Sequence, residues 1–240
     1  MSRGERRKMS RGYEQIGVAM TCRSFAEYER MFRLKPELLE AGPILDVAAG
    51  ASSFVAEAAA RGLAAKAADP MYELSAEGIY RHGMTEIEVS TGKLTKLRES
   101  FDWTFYGDPE RHRAMREASM KRFADDYAHS SQGNKYTAAM LPHLPYEDES
   151  FGLVLCSHFL FLYHEQFDYD FHTRVLRELL RVCRAGGEVR VYPVITLQWD
   201  RYPMLDRLLE ELRTAGFEAS LELSELPFIP GSKELLRVKK

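Results

Sequence analysis

The chain has 240 residues, with 33 Lys and Arg against 36 Asp and Glu, a formal charge of −3, and 45% hydrophobic residues. That length suits one α/β domain with room for an insertion, and the slight acidity excludes a global basic field of the kind that gathers nucleic acid or anionic lipid. Cys22, Cys156 and Cys183 form neither a disulfide framework nor a C-x-x-C zinc knuckle. No apolar run reaches the ~18 residues of a spanning helix, so the chain reads as a cytoplasmic protein.

The first 42 residues read as a tail followed by two short covering helices. Met1 to Lys8 carries charge with no apolar stretch behind it, which is not a secretory signal. Ser24 to Leu34 sets Phe25, Tyr28, Met31 and Phe32 at helical spacing, and Pro36 and Gly42-Pro43 bracket a second short helix. Tyr13, Arg23 and Tyr28 are candidate lid residues. Residues 1 to 35 also gather nine basic side chains against four acidic ones, a pattern that keeps an RNA partner open.

Ile44 to Val47 is an apolar run suited to a strand buried on both faces. It passes into Ala48-Ala49-Gly50-Ala51-Ser52-Ser53, a bend of small residues that lets a ligand approach the backbone. A helix from about Ser53 to Arg61 is expected to aim its free N–H groups at that space, with Gly62 as its stop. A second strand, Ala64 to Ala68, ends at Asp69-Pro70. Gly50 and Asp69 stand close to the roughly 20-residue offset at which a nucleotide-binding βαβ unit places its ribose-binding acid. The alternative is that Asp69 only caps the next helix.

Residues from about 80 to 134 are rich in charge and aromatics, including Phe101, Trp103, Tyr106 and Tyr127. They read as an inserted helical cap in which Pro109 opens a helix that ends near Asp125-Asp126-Tyr127 and Gly133-Asn134. A short third strand is expected near Tyr136 to Met140. Phe151 to Ser157, apolar at nearly every position, belongs at the centre of the sheet. Asp170 to Arg184 repeats apolar residues as a helix ended by Gly186. Met204 to Leu212 does the same before Gly216, and Glu218 to Leu223 and Glu234 to Val238 read as terminal β-strands.

A dinucleotide site wants G-x-G-x-x-G, of which only Gly50 is present, leaving a nicotinamide oxidoreductase as a weak alternative. Asp46, Gly50 and Asp69 instead resemble the class I S-adenosylmethionine-dependent methyltransferases. The resemblance extends through Leu144-Pro145 with its acidic loop into Phe151 to Leu155, through Ala185-Gly186-Gly187, and to Ala215-Gly216-Phe217. It implies a three-layer Rossmann-like α/β fold with a mostly parallel seven-stranded sheet and an antiparallel C-terminal hairpin. It also implies S-adenosylmethionine as cofactor. The motif is degenerate, since Ala48 and Ser52 replace glycines, and Met140 or Leu141 stand where the family places an acid against adenine. The cofactor set implied is Asp46, Ala48, Gly50, Ser52, Ser53, Asp69, Pro70, Met140, Leu141 and Ser157.

In an open α/β sheet, ligands gather beyond the carboxyl ends of the strands, which puts Cys156 to His164 at the acceptor site. His158 is the candidate general base because its ordinary pKa lies near neutrality, and Tyr163 is a second candidate for the catalytic set. A DNA adenine methyltransferase would carry a Pro-Pro-aromatic turn where this chain has His158-Phe159-Leu160. A pyrimidine-carbon enzyme would need a Pro-Cys nucleophile. No His and Asp cluster stands at metal spacing. The expected activity is methyl transfer to a small molecule. A non-catalytic binding protein on the same fold and an RNA methyltransferase are the alternatives.

Overall fold

The computed structural model describes residues 17–130 and 135–240. Seven strands form one sheet: β1 (Ile44–Val47), β2 (Ala65–Ala68), β3 (Tyr136–Thr137), β4 (Phe151–Ser157), β5 (Cys183–Tyr192), β6 (Glu218–Leu223) and β7 (Glu234–Lys239). Their order is β3-β2-β1-β4-β5-β7-β6. The first five pair in parallel, β7 runs against β5, and β6 returns against β7. The expected mixed α/β sheet is therefore present. Its strand order reverses between β1 and β4, the switch point at which such sheets open a ligand crevice.

Two helical layers cover the sheet because side chains alternate along buried strands. Leu45 and Val47 of β1 face α6 (Tyr169–Val182) and α7 (Leu205–Thr214). Ile44 faces the other layer, built from α1 (Phe25–Phe32), α2 (Pro36–Leu39), α3 (Phe54–Ala60), α4 (Ala76–Lys96) and α5 (Pro109–His129). The insertion is two 21-residue helices. Each has a side-chain cap, Ser75 accepting from Gly78 N–H and Asp108 from Arg111 N–H. They cross closely at Gly83, where a Cβ would stand 2.5 Å from Met120 Sδ.

Three boundaries differ from the sequence expectation. The helix placed at Asp170 to Arg184 ends at Val182, where Cys183 turns extended (φ −76°, ψ 133°) and enters β5 directly. Gly186 lies inside that strand at φ +75°, where the pairing with β4 slips between Phe151 and Leu153. Strand β3 is two residues long. Tyr13 and Gly133-Asn134 lie outside the described residues. No helix among the described residues is long and apolar enough to cross a membrane.

Candidate functional site

A hollow of about 340 Å³ opens beyond the carboxyl ends of β1, β2 and β4. The predicted residues Ala48, Gly50, Asp69, Pro70, Met140, Leu141 and Ser157 all line it, as does His158. The bend after β1 is tight: Ala48 takes φ +54° and Gly50 φ +56°. Asp69 lies across it, accepting from Gly50 N–H at Oδ2 and from Met71 N–H at Oδ1, both at 2.9 Å. The capping and hollow-lining roles of Asp69 thus coexist. Each oxygen keeps lone-pair capacity for a further donor. Burial pushes this carboxyl up, and the two backbone N–H groups oppose the rise.

Asp46, Ser52 and Ser53 lie outside the hollow. Asp46 is the third residue of β1 and shares the face of Ile44, so its side chain enters the helical layer rather than leaving the strand end. There its Oδ2 accepts from Tyr28 O–H at 2.9 Å. The carboxyl is fully buried, and burial holds it well above the ordinary carboxylate range against the Tyr28 hydrogen bond, with the Asp69 charge adding to the rise. Tyr28, a candidate lid residue, is a core side chain stacked on Phe54 at 4.6 Å. Ser52 Oγ donates to Arg23 C=O, and Ser53 Oγ donates to Glu57.

Two of the N–H groups expected to be free at the start of α3 are taken. Ser53 N–H donates to Arg23 C=O and Phe54 N–H to Ser52 Oγ. The segment before α1 supplies that acceptor because it runs across the bend, with Thr21 C=O accepting from Ala51 N–H. It also fills the space beside Gly50, where a Cβ would stand 3.0 Å from Thr21 C=O. The Ser53 and Phe54 N–H groups are therefore closed to a pyrophosphate. No Lys or Arg among the described residues lines the hollow either. An acid-bearing hollow without a cation suits a nucleoside that itself carries positive charge, as S-adenosylmethionine does, and disfavours a dinucleotide.

His158 follows β4 at φ +52°, a left-handed conformation that a non-glycine residue adopts at a cost. Its Nδ1 is 2.9 Å from Ser157 Oγ. Burial, reinforced by the charges of Arg23 and Arg116, pushes its pKa well below the ordinary histidine value. The ring is therefore neutral near pH 7, and its basicity is weaker than the sequence expectation assumed.

A second, apolar cavity of about 120 Å³ meets the first: Ala19, Met20, Thr21 and His158 line both. Ile87 and Leu94 of α4, Phe101, Leu162 and Phe228 contribute its apolar wall. Tyr163 lines this second cavity, and its hydroxyl accepts from Ala19 N–H at 2.8 Å. His164 lines neither.

Beside the second cavity lies a buried charge cluster that sequence reasoning missed. Arg116 of α5 forks onto Glu27 of α1, with Nη1 to Oε2 at 2.9 Å and Nη2 to Oε1. Tyr106 O–H donates to Glu27 at 2.6 Å, and Arg23 Nη1 approaches at 3.4 Å. Burial alone would raise the Glu27 carboxyl, but Arg116 and then Arg23 hold it well below the carboxylate range. Arg116 Nε donates to His112 Nε2 at 3.2 Å, which leaves the proton of this neutral ring on Nδ1. Burial first, then the Arg116 charge, pushes His112 down to about 2. Only one short-range signal was available, Glu27 three residues after Ser24, where its Oε2 accepts from the Ser24 N–H and Oγ.

Three of the four described basic residues gathered near the N-terminus are engaged, and Lys35 is exposed. Arg23 is buried, Arg30 stacks over Phe105 at 5.1 Å, and Arg33 pairs with Glu222 and Glu225 at 3.9 and 3.6 Å.

A family model described as a methyltransferase domain matches residues 110–191. An uncharacterised protein of Methanocaldococcus jannaschii is 30% identical over 219 residues, spanning 91% of this chain and 94% of the relative. Similar solved structures include a methyltransferase from Methanosarcina mazei, 16% identical, covering 86% of this chain and 96% of that one at a TM-score of 0.47. Another, from Aquifex aeolicus, is 15% identical with 89% and 91% covered and a TM-score of 0.41. A magnesium protoporphyrin IX methyltransferase from Synechocystis with bound S-adenosylmethionine is 10% identical, with 84% and 71% covered and a TM-score of 0.47. Over its length the chain belongs to one family with the M. jannaschii protein, and the methyltransferase-domain match together with the sheet order makes it a methyltransferase of the class I S-adenosylmethionine-dependent type.

Proposed function

We propose that this enzyme methylates a small, largely apolar molecule held in the cavity beneath α4 and α5. The observation that carries the reading is the junction of the two hollows at Ala19, Met20, Thr21 and His158. A donor in one hollow and an acceptor in the other would meet there.

When bound, S-adenosylmethionine supplies an electrophilic methyl group on a sulfonium. Asp69 is placed to accept from ribose hydroxyls, and Pro70, Met71 and Leu141 offer apolar surface to the base. Ala48 and Gly50 keep the bend clear of side chains. Ser157 lines the first hollow and His158 stands at the junction, where the neutral ring orients the acceptor through a hydrogen bond. Apolar side chains of α4 and Leu162 keep water out, and a methyl displacement gains most of its rate from such alignment and dryness. In this reading the insertion is the acceptor lid. Three buried free cysteines suit the reducing cytoplasm.

Incubating the enzyme with methyl-labelled S-adenosylmethionine and separate pools of small metabolites, RNA and protein tests the proposal. Label is expected in the small-molecule fraction. Label confined to RNA or protein would overturn it.

A further inference from the structure

The second cavity is apolar, yet three hydrogen-bond donors among its lining residues have no partner: Arg23 Nε, His112 Nδ1 and Trp199 Nε1. Arg23 and His112 are 7% and 4% exposed, so water does not readily satisfy them. Buried donors are seldom left unpaired. All three donate and none accepts, since the other nitrogen of His112 takes the Arg116 N–H. The missing partner therefore brings acceptor lone pairs.

Charge points the same way. Two buried guanidinium groups, Arg23 and Arg116, share one buried carboxylate, Glu27, so the buried end of the cavity is the cationic one. Glu86 of α4, the carboxylate in the cavity lining, is half-buried and brings the whole lining to balance. Trp199 holds φ +66°, an outlying conformation for a bulky residue of the kind that concentrates at ligand sites.

We propose that the methyl acceptor is an apolar carboxylic acid, bound as its carboxylate against Arg23, His112 and Trp199, with a carboxylate oxygen as the methylated atom. The proposal rests on reading the first hollow as the donor site. A carboxylate offers about four acceptor positions, enough for three donors with capacity left to attack. It is already ionised at neutral pH, so the weakly basic His158 need remove no proton. The oxygen lone pair forms the O–CH₃ bond as the S–CH₃ bond breaks, and that bonding pair stays on sulfur. Sulfonium becomes thioether, carboxylate becomes methyl ester, and no proton moves. Opposite charges merge in the reaction, which an apolar cavity favours because it solvates the separated ions poorly. A cavity of about 120 Å³ has room for on the order of ten non-hydrogen atoms.

Calorimetry on the full chain decides the matter, with phenylacetate and octanoate titrated against phenylacetamide, 2-phenylethanol and 2-phenylethylamine. S-adenosylhomocysteine is titrated separately. The carboxylates are expected to bind at least about tenfold more tightly than the other probes, the margin set by charge-assisted hydrogen bonding. Trp199→Phe, which keeps an aromatic ring, is expected to weaken carboxylate binding about 3- to 10-fold and to leave S-adenosylhomocysteine binding in the separate first hollow unchanged. With S-adenosylmethionine, the tighter-binding carboxylate is expected to yield its methyl ester by mass spectrometry. Equal or tighter binding of the amine would assign the cavity to Glu86 and overturn the proposal. Absence of binding by every probe, indifference to Trp199→Phe, or failure to form ester would do so too. Carboxylate binding without S-adenosylhomocysteine binding would instead overturn the donor-site reading and with it the transfer step.

Discussion

Two residues at the end of β1, one inside the strand and one just beyond it, show how far side-chain direction decides a role. Asp46 and Ala48 are two positions apart, yet Asp46 is sealed against Tyr28 while Ala48 lines the hollow. Ala48 holds a left-handed conformation without the freedom of glycine. That strain costs about 1–2 kcal/mol, more than the roughly 0.5–1 kcal/mol of extra chain entropy a glycine loses. Ala48→Gly is therefore expected to stabilise the protein by about 0.5–1 kcal/mol, read as a higher urea midpoint. An unchanged or lower midpoint would mean that the bend is not strained. His158 sets a pH dependence. Below about pH 6.5 the unfolded chain binds a proton there that the folded chain refuses, because burial and the Arg23 and Arg116 charges depress the folded pKa. Stability contributed by this group is lost as pH falls, at about 1.4 kcal/mol per unit until the folded value is reached. Urea unfolding of His158→Asn between pH 7.5 and 5.5 should fall less steeply than wild type by about that slope. Parallel curves would mean that His158 protonates freely when folded.

At the level of elements, α1 and α5 are joined by the Glu27–Arg116 pair across 89 positions of sequence. Removing one partner of a buried pair strands the other charge, at about 3–5 kcal/mol. Glu27→Gln should lose roughly that much in denaturant unfolding, and a loss near zero would place the pair in contact with solvent. This cluster was not legible in the sequence, since neither periodicity nor spacing links Glu27 to Arg116. The elements it joins were legible. The Phe25, Tyr28, Met31 and Phe32 stripe defined α1, Pro109 marked the start of α5, and the apolar run Phe151 to Ser157 defined β4. Local pattern failed where tertiary pairing took over: α6 stops at Val182 because Cys183 pairs with Phe151, ahead of the glycine that looked like its cap.

Across the whole molecule, the mixed seven-stranded sheet was legible through the family resemblance, and the place of the hollow through the rule that ligands gather beyond the carboxyl ends of the strands, here at the reversal between β1 and β4. What sequence could not supply was the route of the segment before α1. Residues 19 to 21 cross the bend, take up the space beside Gly50, and form the wall shared by both hollows. Ser52 and Ser53 are held outside the hollow by this layer and by α5. The resulting division, an acid-lined hollow joined to an apolar one roofed by the insertion, is the central claim about function. Its most direct test is calorimetric titration of S-adenosylmethionine into wild type and Asp69→Ala, with NAD as the control. Wild type should bind S-adenosylmethionine at one site and NAD not at all. Asp69→Ala should lose ~1.5–3 kcal/mol, on the order of 10- to 100-fold in affinity. Equal affinity in the two proteins, or a preference for NAD, would contradict the account.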